Sequence, residues 1–414
     1  MTRIEPLLGG MEVAGELRGA TRSGAPLPLV APRTEAALVE LVNRARTDGL
    51  KLLPVGRGTQ LRWTNLATDA DVAVSTRELT SIVAHEPDDG TITALAGTSY
   101  GELWDRARSG GHHLSPELPS AHESTLGGVI AAGRSGVDRL RLGPLRNQLL
   151  GTRALLADGT ITKSGGRLVK NVTGFDLHRL YCGSQGSLCI LLEASLRLYP
   201  APEAVCHLVL DVADVGAALA LANELQATRL APWILAIDAD GPSGPAHLHL
   251  ELAGRAAVVA HERDSLPAAW RAAQISEGDA AASAHEVYVE SGVQDAALVR
   301  INVRPSRREL AWKRCAPLVG TGSPLRYLRL EPALASLELI LDPSDPQRVA
   351  ELVSKLRATL AGTGAQLRVC GSAALRSRVD CFDQVGPALS WMRQLRERFD
   401  PHGLFATGRG PAGL

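Results

Sequence analysis

The sequence predicts an α+β protein with two main domains, and two observations support this fold class. Up to residue 203, predicted helices and strands follow one another and are separated by glycine-rich loops. Beyond residue 203, a strand–helix–strand pattern occurs twice, which predicts a split βαβ, ferredoxin-like α+β domain. The predicted organisation is an N-terminal segment (1–24), a first domain (25–203), a second domain (204–385) and a C-terminal helix and tail (386–414).

The elements of the first domain have local causes in the sequence. Apolar residues recur at helical spacing from Thr34 to Asp48, and Thr34 is a suitable N-cap. The run from Leu52 to Val55 is predicted to be a short buried strand that leads into a glycine-rich turn. The same criteria predict strands over 71–75, 91–96 and 188–198, and a strand pair over 152–162 about the turn at Asp158 and Gly159. They also predict helices over 100–108 and from about 125 onward.

The second domain begins after Pro200 and Pro202, which end the last strand of the first domain. Its first unit is predicted as strands over 205–212, 233–237 and 247–252 and a helix over 215–226. The second unit is predicted as strands over 299–303, near 325, near 337 and over 366–370, and helices over 307–318 and 347–360.

Charge and composition argue against several classes of protein. The 44 Lys and Arg residues balance the 44 Asp and Glu residues, so net charge gives no reason to expect nucleic acid or an anionic membrane as partner. No stretch of about 18 apolar residues occurs, so we expect no transmembrane helix. We also expect no signal peptide, because the N-terminus lacks a long apolar run. The 6 cysteines have no metal-ligand spacing, and buried reduced thiols favour a cytoplasmic location.

A glycine-rich turn follows the predicted strand that ends at Val55. Gly56 and Gly58 flank Arg57; glycine lets the backbone turn tightly, and successive N–H groups can then bind phosphate oxygens. The turn is not a Rossmann fingerprint, because Leu61 stands where a third glycine is needed, and no P-loop motif occurs. Taken alone, the turn is a weak signal, because most turns of this kind are ordinary loops.

A second pair of glycines, Gly127 and Gly128, follows Thr125 at a predicted helix start. Free N–H groups and the helix dipole at such a start favour a pyrophosphate. A further glycine-bounded stretch extends from Gly136 to Gly143. Close packing of the helix on a sheet explains the same glycines, so both explanations stay open at this point.

Five segments fall in an order that resembles one protein family. They are residues 54–60, 124–136, 151–159, 170–180 and 183–188. Together they resemble the FAD-binding domain of the vanillyl-alcohol oxidase and p-cresol methylhydroxylase (PCMH) superfamily, over about residues 25–203. Within that superfamily, the segments GTRALLADG and GGRLVKNVTGFDL resemble the FAD-binding subunit of glycolate oxidase.

The resemblance implies a PCMH-type FAD-binding domain of two subdomains and a set of FAD contacts. The contacts are Pro54, Gly56, Arg57, Gly58, Thr59, Gln60, Thr125, Leu126, Gly127, Gly128, Ser135, Gly136, Arg141, Leu142, Gly143 and Ile190, with Arg409 returning from the tail to the flavin ring. Neither His112 nor His113 occupies the position at which some relatives attach the flavin, so non-covalent FAD is expected. No metal is expected.

The resemblance also implies oxidation of a small 2-hydroxy acid, which needs a cation for the carboxylate and a base for the hydroxyl proton. Arg300 or Arg304 could serve as the carboxylate clamp, although an exposed or paired arginine explains each more simply. Lys170 is a second candidate beside the flavin, and a structural lysine is the alternative. The glycine- and histidine-rich motif of the catalytic branch of the family does not occur. His247 and His249 share one strand face and are the nearest substitute, although a polar surface explains them more simply.

Three functions stay open. The first is an FAD-binding subunit of a glycolate (2-hydroxy-acid) oxidase complex, with a second flavin dehydrogenase subunit and an iron–sulfur subunit as partners, because this chain has no cysteine cluster of its own. The partners would attach such a complex to the inner membrane. The second is a self-sufficient FAD-dependent 2-hydroxy-acid dehydrogenase, and the third is an FAD-binding structural subunit without catalysis.

Overall fold

The computed structural model describes residues 12–167, 174–290 and 296–414. Within these residues the strands form three sheets, two in the first half of the chain and one in the second. No helix in the described ranges has both the length and the apolar character needed to cross a membrane.

The first sheet holds the strand that leads into the glycine turn. Its strands are β1 (Val13–Leu17), β2 (Leu27–Val30), β3 (Leu52–Val55) and β4 (Val72–Ser75). They are ordered β1-β2-β4-β3, with β4 parallel to both of its neighbours, so the predicted N-terminal segment contributes a strand to this sheet. Helix α1 (Glu35–Asp48) begins after Thr34, whose hydroxyl accepts a hydrogen bond from the N–H of Ala37, as the sequence predicts.

The second sheet is antiparallel and packs against helices of the first domain. Its strands are β5 (Ile82–Glu86), β6 (Thr91–Leu95), β7 (His112–Leu114), β8 (Leu149–Leu155), β9 (Ile161–Gly165) and β10 (Ile190–Pro200). The order is β5-β6-β10-β8-β9, and β7 also pairs with β10. The helices of this region are α2 (Tyr100–Ser109), α3 (Leu126–Ala132), α4 (Arg139–Leu142), α5 (Leu145–Gln148) and α6 (Leu177–Tyr181).

The third sheet has eight antiparallel strands. They are β11 (Ala204–Val212), β12 (Ile234–Ala239), β13 (Ala246–Gly254), β14 (Gln274–Glu277), β15 (Ala297–Asn302), β16 (Leu325–Glu331), β17 (Ser336–Leu341) and β18 (Gln366–Cys370), in the order β14-β11-β13-β12-β16-β17-β15-β18. The helices that accompany them are α7 (Val215–Gln226), α8 (Ala256–Asp264), α9 (Asp279–Glu290), α10 (Arg308–Cys315) and α11 (Pro346–Leu360).

The two halves of this sheet have the same sequence of elements and meet edge to edge. Strand β12 of the first half pairs with β16 of the second, through Ile237 with Leu330 and Ala239 with Leu328. One hydrophobic cluster extends under both halves, because inward-facing strand residues and the apolar faces of the helices belong to the same core. The sequence pattern indicates two units but not the pairing that joins them.

The C-terminal part returns to the first domain. After helices α12 (Ala373–Arg376) and α13 (Ala388–Phe399), the chain pairs with the edge strand β3. The N–H of Leu52 donates to the carbonyl of Leu404 at 2.8 Å, and the N–H of Ala406 donates to the carbonyl of Leu52 at 2.8 Å. Because these bonds hold the chain on β3, the residues that follow lie beside the glycine turn.

The segment just after the glycine turn is bonded to the second domain. The guanidinium of Arg62 donates to the carbonyl of Ala296 at 2.5 Å. The guanidinium of Arg368 donates to the carbonyl of Trp63 at 2.8 Å. These bonds hold the second domain against the strand and turn that carry the predicted cofactor residues.

Candidate functional site

The glycine turn after β3 forms one wall of a cleft in the first domain. Gly58 has a φ of 87°, in the left-handed region that favours glycine, and it precedes a short 3₁₀ helix, Thr59–Trp63. Within the described residues, no group accepts a hydrogen bond from the backbone N–H groups of residues 57–60. Because successive free amides bind phosphate oxygens, the turn offers an anion site made of backbone.

The start of α3 forms the facing wall, but its N–H groups are not free. The N–H of Gly127 donates to the carbonyl of Ala96 at 2.8 Å, and the N–H of Gly128 donates to the hydroxyl of Thr125 at 3.2 Å. Of the two explanations left open by the sequence, free donors at Gly127 and Gly128 are excluded, because the carbonyl of Ala96, just after β6, and the hydroxyl of Thr125 accept those hydrogen bonds.

The glycines on both walls allow close packing instead. A Cβ on Gly127 would lie 2.9 Å from the Cβ of Ala96. A Cβ on Gly56 would lie 2.0 Å from Oγ1 of Thr125, which is far inside van der Waals contact. Of the two explanations for these glycines, close packing is the one that the structure supports at α3.

A third wall comes from the loop before β10. Gln185 has a φ of 59°, and its N–H donates to the carbonyl of Ala131 at 2.8 Å, which ties the loop to α3. Gly186 lies beside the tail, since a Cβ there would be 3.4 Å from Nη1 of Arg409. We call the space between these walls the glycine cleft; it is lined by residues within 54–61, 125–132 and 184–191, with Thr76 and Arg409.

Arg409 is a buried cation in the glycine cleft. Only 8% of the residue is exposed, and its Nη1 donates to the carbonyl of Pro54 at 2.9 Å. Its Nε is buried without a hydrogen-bond partner, and no carboxylate of the described chain lies within ion-pair distance. Burial, and then repulsion by Arg376, lowers the pKa of Arg409 to about 10. A buried guanidinium without an anion is costly, so the cleft favours an anionic ligand.

The glycine cleft fits FAD. The space between its walls, open solvent included, is about 640 Å³. The free amides of residues 57–60 and the guanidinium of Arg409 suit the diphosphate and other anionic parts of the cofactor. The side-chain oxygen of Gln60 is buried without a donor among the described residues, and it can accept a hydrogen bond from the ligand. FAD supplies two-electron oxidation when bound.

Most of the predicted FAD contacts line this cleft. They are Pro54, Gly56, Arg57, Gly58, Thr59, Gln60, Thr125, Gly127, Gly128, Ile190 and Arg409. The sequence prediction omitted other lining residues, chiefly Thr76, Ala131, Ala132, Ser184, Gln185, Gly186, Cys189 and Leu191. The signal that could have found Ser184, Gln185 and Gly186 is the segment GSQG at 183–186, which belongs to one of the five resembling segments.

Six predicted contacts do not line the glycine cleft. Leu126 is fully buried in the core beneath it. Ser135 and Gly136 line spaces next to the second domain. The stretch of Arg141, Leu142 and Gly143 is at the end of α4, where Arg141 is exposed to solvent. Lys170 lies outside the described residues.

A second cleft adjoins the first at Ala132, which lines both. Its empty volume is about 1100 Å³. We call it the arginine cleft, because its lining includes four arginines from two domains, namely Arg134, Arg139, Arg300 and Arg368. The sequence analysis identified only Arg300 among these.

Arg134 has no carboxylate partner among the described residues. Its guanidinium lies over the ring of Trp63, 3.9 Å from the ring centroid. Its Nε is buried without a hydrogen-bond partner in the described chain. Burial, followed by repulsion from Arg300, lowers the pKa of Arg134 to about 9. The group is a cation that a bound anion would stabilise.

Arg300 and Arg368 already have partners in the protein. The Nε of Arg300 donates to Glu338 at 2.5 Å, across the pairing of β15 with β17. Burial lowers the pKa of Arg300, but the attraction of Glu338 outweighs it and the net shift is upward. Arg368 lies over Phe382, 3.8 Å from the ring centroid, in addition to its bond to the carbonyl of Trp63. Arg300 thus lines the cleft as the fixed half of an ion pair.

The remaining charges leave the arginine cleft positive. Its one lining carboxylate in the described chain, Asp383, pairs with Arg357 at 2.6 Å. Arg139 has no ion-pair partner among the described residues, and burial lowers its pKa. The cleft therefore favours a small anion such as a carboxylate.

The histidines that the sequence singles out lie elsewhere. Neither His112 nor His113 lines the glycine cleft. His247 pairs with an exposed aspartate at the surface, and burial lowers the pKa of His249 to about 4. No group of three residues suited to a metal ion occurs in the described ranges.

A buried ion network joins the two domains. On α9, Nε2 of His285 lies 2.7 Å from Glu117 of the first domain, and Nδ1 lies 2.7 Å from Glu251 of β13. Burial lowers the pKa of His285, but hydrogen bonds and attraction from the two carboxylates outweigh it and raise the pKa to about 10. His285 is therefore a cation that links the two domains.

We expect His285→Gln to lower the free energy of unfolding by about 3–5 kcal/mol, because it leaves two buried carboxylates without their cation. The folded-state pKa of about 10 exceeds the ordinary 6.5, so the contribution of His285 is complete below pH 6.5 and is lost as the pH rises through about 10. Urea unfolding at pH 6 and pH 9 tests this. The control is His261→Gln on the exposed face of α8. If the difference in unfolding free energy between wild type and His285→Gln is as large at pH 9 as at pH 6, His285 is not the cation of this network.

Comparisons with known proteins agree with the geometry of the glycine cleft. Residues 26–165 match the family described as FAD binding domain. Two crystal forms of alkyldihydroxyacetonephosphate synthase share the fold, with TM-scores of 0.70 and 0.67 at 15% and 13% identity, over 92% of this chain and 77% and 76% of theirs. The chain therefore contains an FAD-binding domain, and the expected cofactor, FAD, is confirmed.

Curated relatives match about half of this chain. Glycolate oxidase subunit GlcD of Bacillus subtilis is 28% identical over 51% of this chain and 45% of its own length. D-lactate dehydrogenase of Archaeoglobus fulgidus is 35% identical over 42% of this chain and 41% of its own length. Glycolate oxidase subunit GlcE of Escherichia coli is 35% identical over 41% of this chain and 48% of its own length. The matches span less than half of each relative, and they do not single out one of the two glycolate oxidase subunits.

Proposed function

We propose that this protein is an FAD-dependent oxidoreductase subunit that serves the oxidation of a small 2-hydroxy acid. The observation that carries the proposal is the arginine cleft, which adjoins the glycine cleft and holds more cationic than anionic side chains. A 2-hydroxy acid has a carboxylate that such a cleft would bind, and a neighbouring Cα–H that a flavin can oxidise. The relatives named as glycolate oxidase subunits and D-lactate dehydrogenase support the same substrate class.

In this proposal the substrate lies between the domains. Arg134 and Arg139 of the first domain bind the carboxylate, because neither has an ion-pair partner among the described residues. Arg300 and Arg368, from strands β15 and β18 of the second domain, add positive potential. We infer that the second domain, over 204–385, is a ferredoxin-like α+β domain and is the substrate domain. FAD is held without a covalent bond, with Arg409 beside the flavin ring.

We further propose that the chain acts as the FAD-binding subunit of a glycolate oxidase type of complex, as the counterpart of GlcE. Its partners would be a second flavin dehydrogenase subunit and an iron–sulfur subunit that receives the electrons. The names of the relatives, which include subunits of such an oxidase, support this assembly. The six cysteines are all unpaired thiols, and five of them are buried, which agrees with an iron–sulfur centre on another polypeptide.

Anaerobic reduction of the bound flavin by 2-hydroxy acids tests the proposal. We expect glycolate or D-lactate to bleach the flavin of the wild-type chain or of its reconstituted complex. We expect Arg134→Met to raise the KM for these acids by about 10- to 100-fold, equivalent to about 1.4–2.8 kcal/mol. The FAD content should stay normal, because Arg134 does not line the glycine cleft. Arg304→Met is the matched control, because Arg304 is exposed and lines neither cleft.

The outcome also separates the three functions that the sequence leaves open. Bleaching of the isolated chain at a catalytic rate would favour the self-sufficient dehydrogenase. Bleaching only with the partner subunits present would favour the complex subunit. If the flavin stays oxidised in both cases, the structural subunit is the function that remains, and the proposed function is contradicted.

A further inference from the structure

A smaller cavity adjoins the arginine cleft and is lined by residues of both domains. It has an empty volume of about 590 Å³ and is lined by Trp63, Arg134, Arg139 and Arg300, which also line the arginine cleft. We call it the inner cavity. A small acid bound by Arg134 and Arg139 would therefore face both spaces.

Among the described residues, three carboxylates line the inner cavity, and two of them are already engaged. Glu117 pairs with His285 at 2.7 Å, and Glu338 pairs with Arg300. The third, Glu331, is the last residue of β16 and is half-buried. In the described chain, no group donates a hydrogen bond to the carboxyl of Glu331 or forms an ion pair with it. The inner cavity thus contains one carboxyl group that is able to accept a proton or a hydrogen bond from a ligand.

The charges around Glu331 come from four elements. Glu338 of β17 repels it, while Arg300 of β15, Arg329 of β16 and Arg139 of α4 attract it. Burial, and then repulsion by Glu338, outweighs the arginines and raises the pKa of Glu331 to about 7. A base with a pKa near the working pH is suited to proton transfer. Two further charged groups line the same cavity, Arg134 and the paired Glu117.

We propose that Glu331 is the catalytic base of this site and accepts the hydroxyl proton of the substrate. The inference rests on the proposed function. The substrate C–H and O–H bonds break and its C=O bond forms: the C–H hydrogen leaves with its electron pair to oxidised FAD, and the O–H proton goes to Glu331. The product is a 2-oxo acid, and the arginines hold its carboxylate throughout.

The kinetic test compares Glu331→Gln with wild type in the complete enzyme. At pH 8 we expect kcat/KM to fall by about 10²- to 10⁴-fold, with partial rescue in Glu331→Asp. The wild-type kcat/KM should fall as the pH drops below about 7, because the base is then protonated, and this limb should disappear in Glu331→Gln. Glu351→Gln, exposed on α11, is the control and should match wild type.

The second test does not use turnover. Oxalate resembles the substrate but has no C–H bond to oxidise, and its binding is followed by the change in flavin absorbance. We expect the Kd of oxalate to rise about tenfold in wild type as the pH passes through about 7, because ionised Glu331 repels it. In Glu331→Gln the Kd should stay flat and low, with normal FAD content and unfolding free energy.

The outcomes distinguish this inference from the proposed function. If no 2-hydroxy acid reduces the wild-type flavin, the proposed function fails, and the oxalate titration still decides whether Glu331 faces the anion. The inference is overturned if the Kd of oxalate does not change with pH in wild type, or if its pH dependence persists in Glu331→Gln. Reduction of Glu331→Gln at the wild-type rate overturns it as well and leaves the proposed function intact.

Discussion

Replacing Gly56 by alanine is expected to raise the Kd of FAD at least 100-fold, so that the protein is purified largely without flavin. The new Cβ would lie 2.0 Å from Oγ1 of Thr125, and the two walls of the glycine cleft would have to separate. Thr125 cannot simply turn away, because its hydroxyl caps α3 by accepting the N–H of Gly128. The measurement is the flavin-to-protein ratio, followed by titration of the apoprotein with FAD.

The matched control for this prediction is Gly111→Ala. Gly111 has a φ of 76°, a Cβ added there would meet nothing within 4 Å, and the residue does not line the glycine cleft. The control substitution should therefore cost stability without affecting FAD. The double variant Gly56→Ala with Thr125→Ala removes the shortest contact and should recover part of the affinity. A folded Gly56→Ala protein with normal FAD content would show that the two walls do not hold the cofactor.

Arg409→Met is the second change with a large expected effect, and it should separate cofactor binding from folding. We expect the Kd of FAD to rise about 100-fold, which is about 2.8 kcal/mol, because an anionic group of the cofactor loses its buried cationic partner. The apoprotein should be as stable as wild type or more so, because a buried cation without a carboxylate partner is replaced by an apolar side chain of similar length.

Thermal unfolding of the apo and FAD-bound forms measures both effects, with Arg398→Met on the exposed face of α13 as control. An apoprotein that is strongly destabilised, with an unchanged shift on adding FAD, would contradict the assignment of Arg409 to the cofactor. The midpoint potential at saturating FAD then locates Arg409. We expect it to fall in Arg409→Met if the guanidinium lies beside the flavin ring, because a nearby cation stabilises the reduced flavin.

Local patterns in the sequence determined much of the secondary structure. Helix α1 has its N-cap at Thr34 and its buried face at Leu38, Leu41 and Val42, as the spacing of apolar residues predicts. Strand β18 is found over the predicted residues. In contrast, β14 was missed, because it is a largely exposed edge strand that lacks a clear alternation of apolar and polar residues.

The sequence predicted most residues that line the glycine cleft but not the reason for each of its glycines. Gly56 and Gly58 lie where a turn after a strand should place them, and they line the cleft. The sequence could not show that the N–H of Gly127 is bonded to the carbonyl of Ala96, because that contact depends on how the helix packs against the turn after β6, about 30 residues earlier. The free amides therefore belong to the turn and not to the helix.

The sequence by itself identified an FAD-binding domain, because five segments in one order resemble those of a known family of FAD-binding proteins. Only the tertiary structure decided which residues line the inner cavity. Arg134, Arg300 and Glu331 are single charged residues without a motif, and long-range strand pairing brings them to one cavity. Their charge states also depend on burial and on each other, as the raised pKa of Glu331 beside Glu338 illustrates. Such properties arise from the distances between side chains, which a local pattern does not contain.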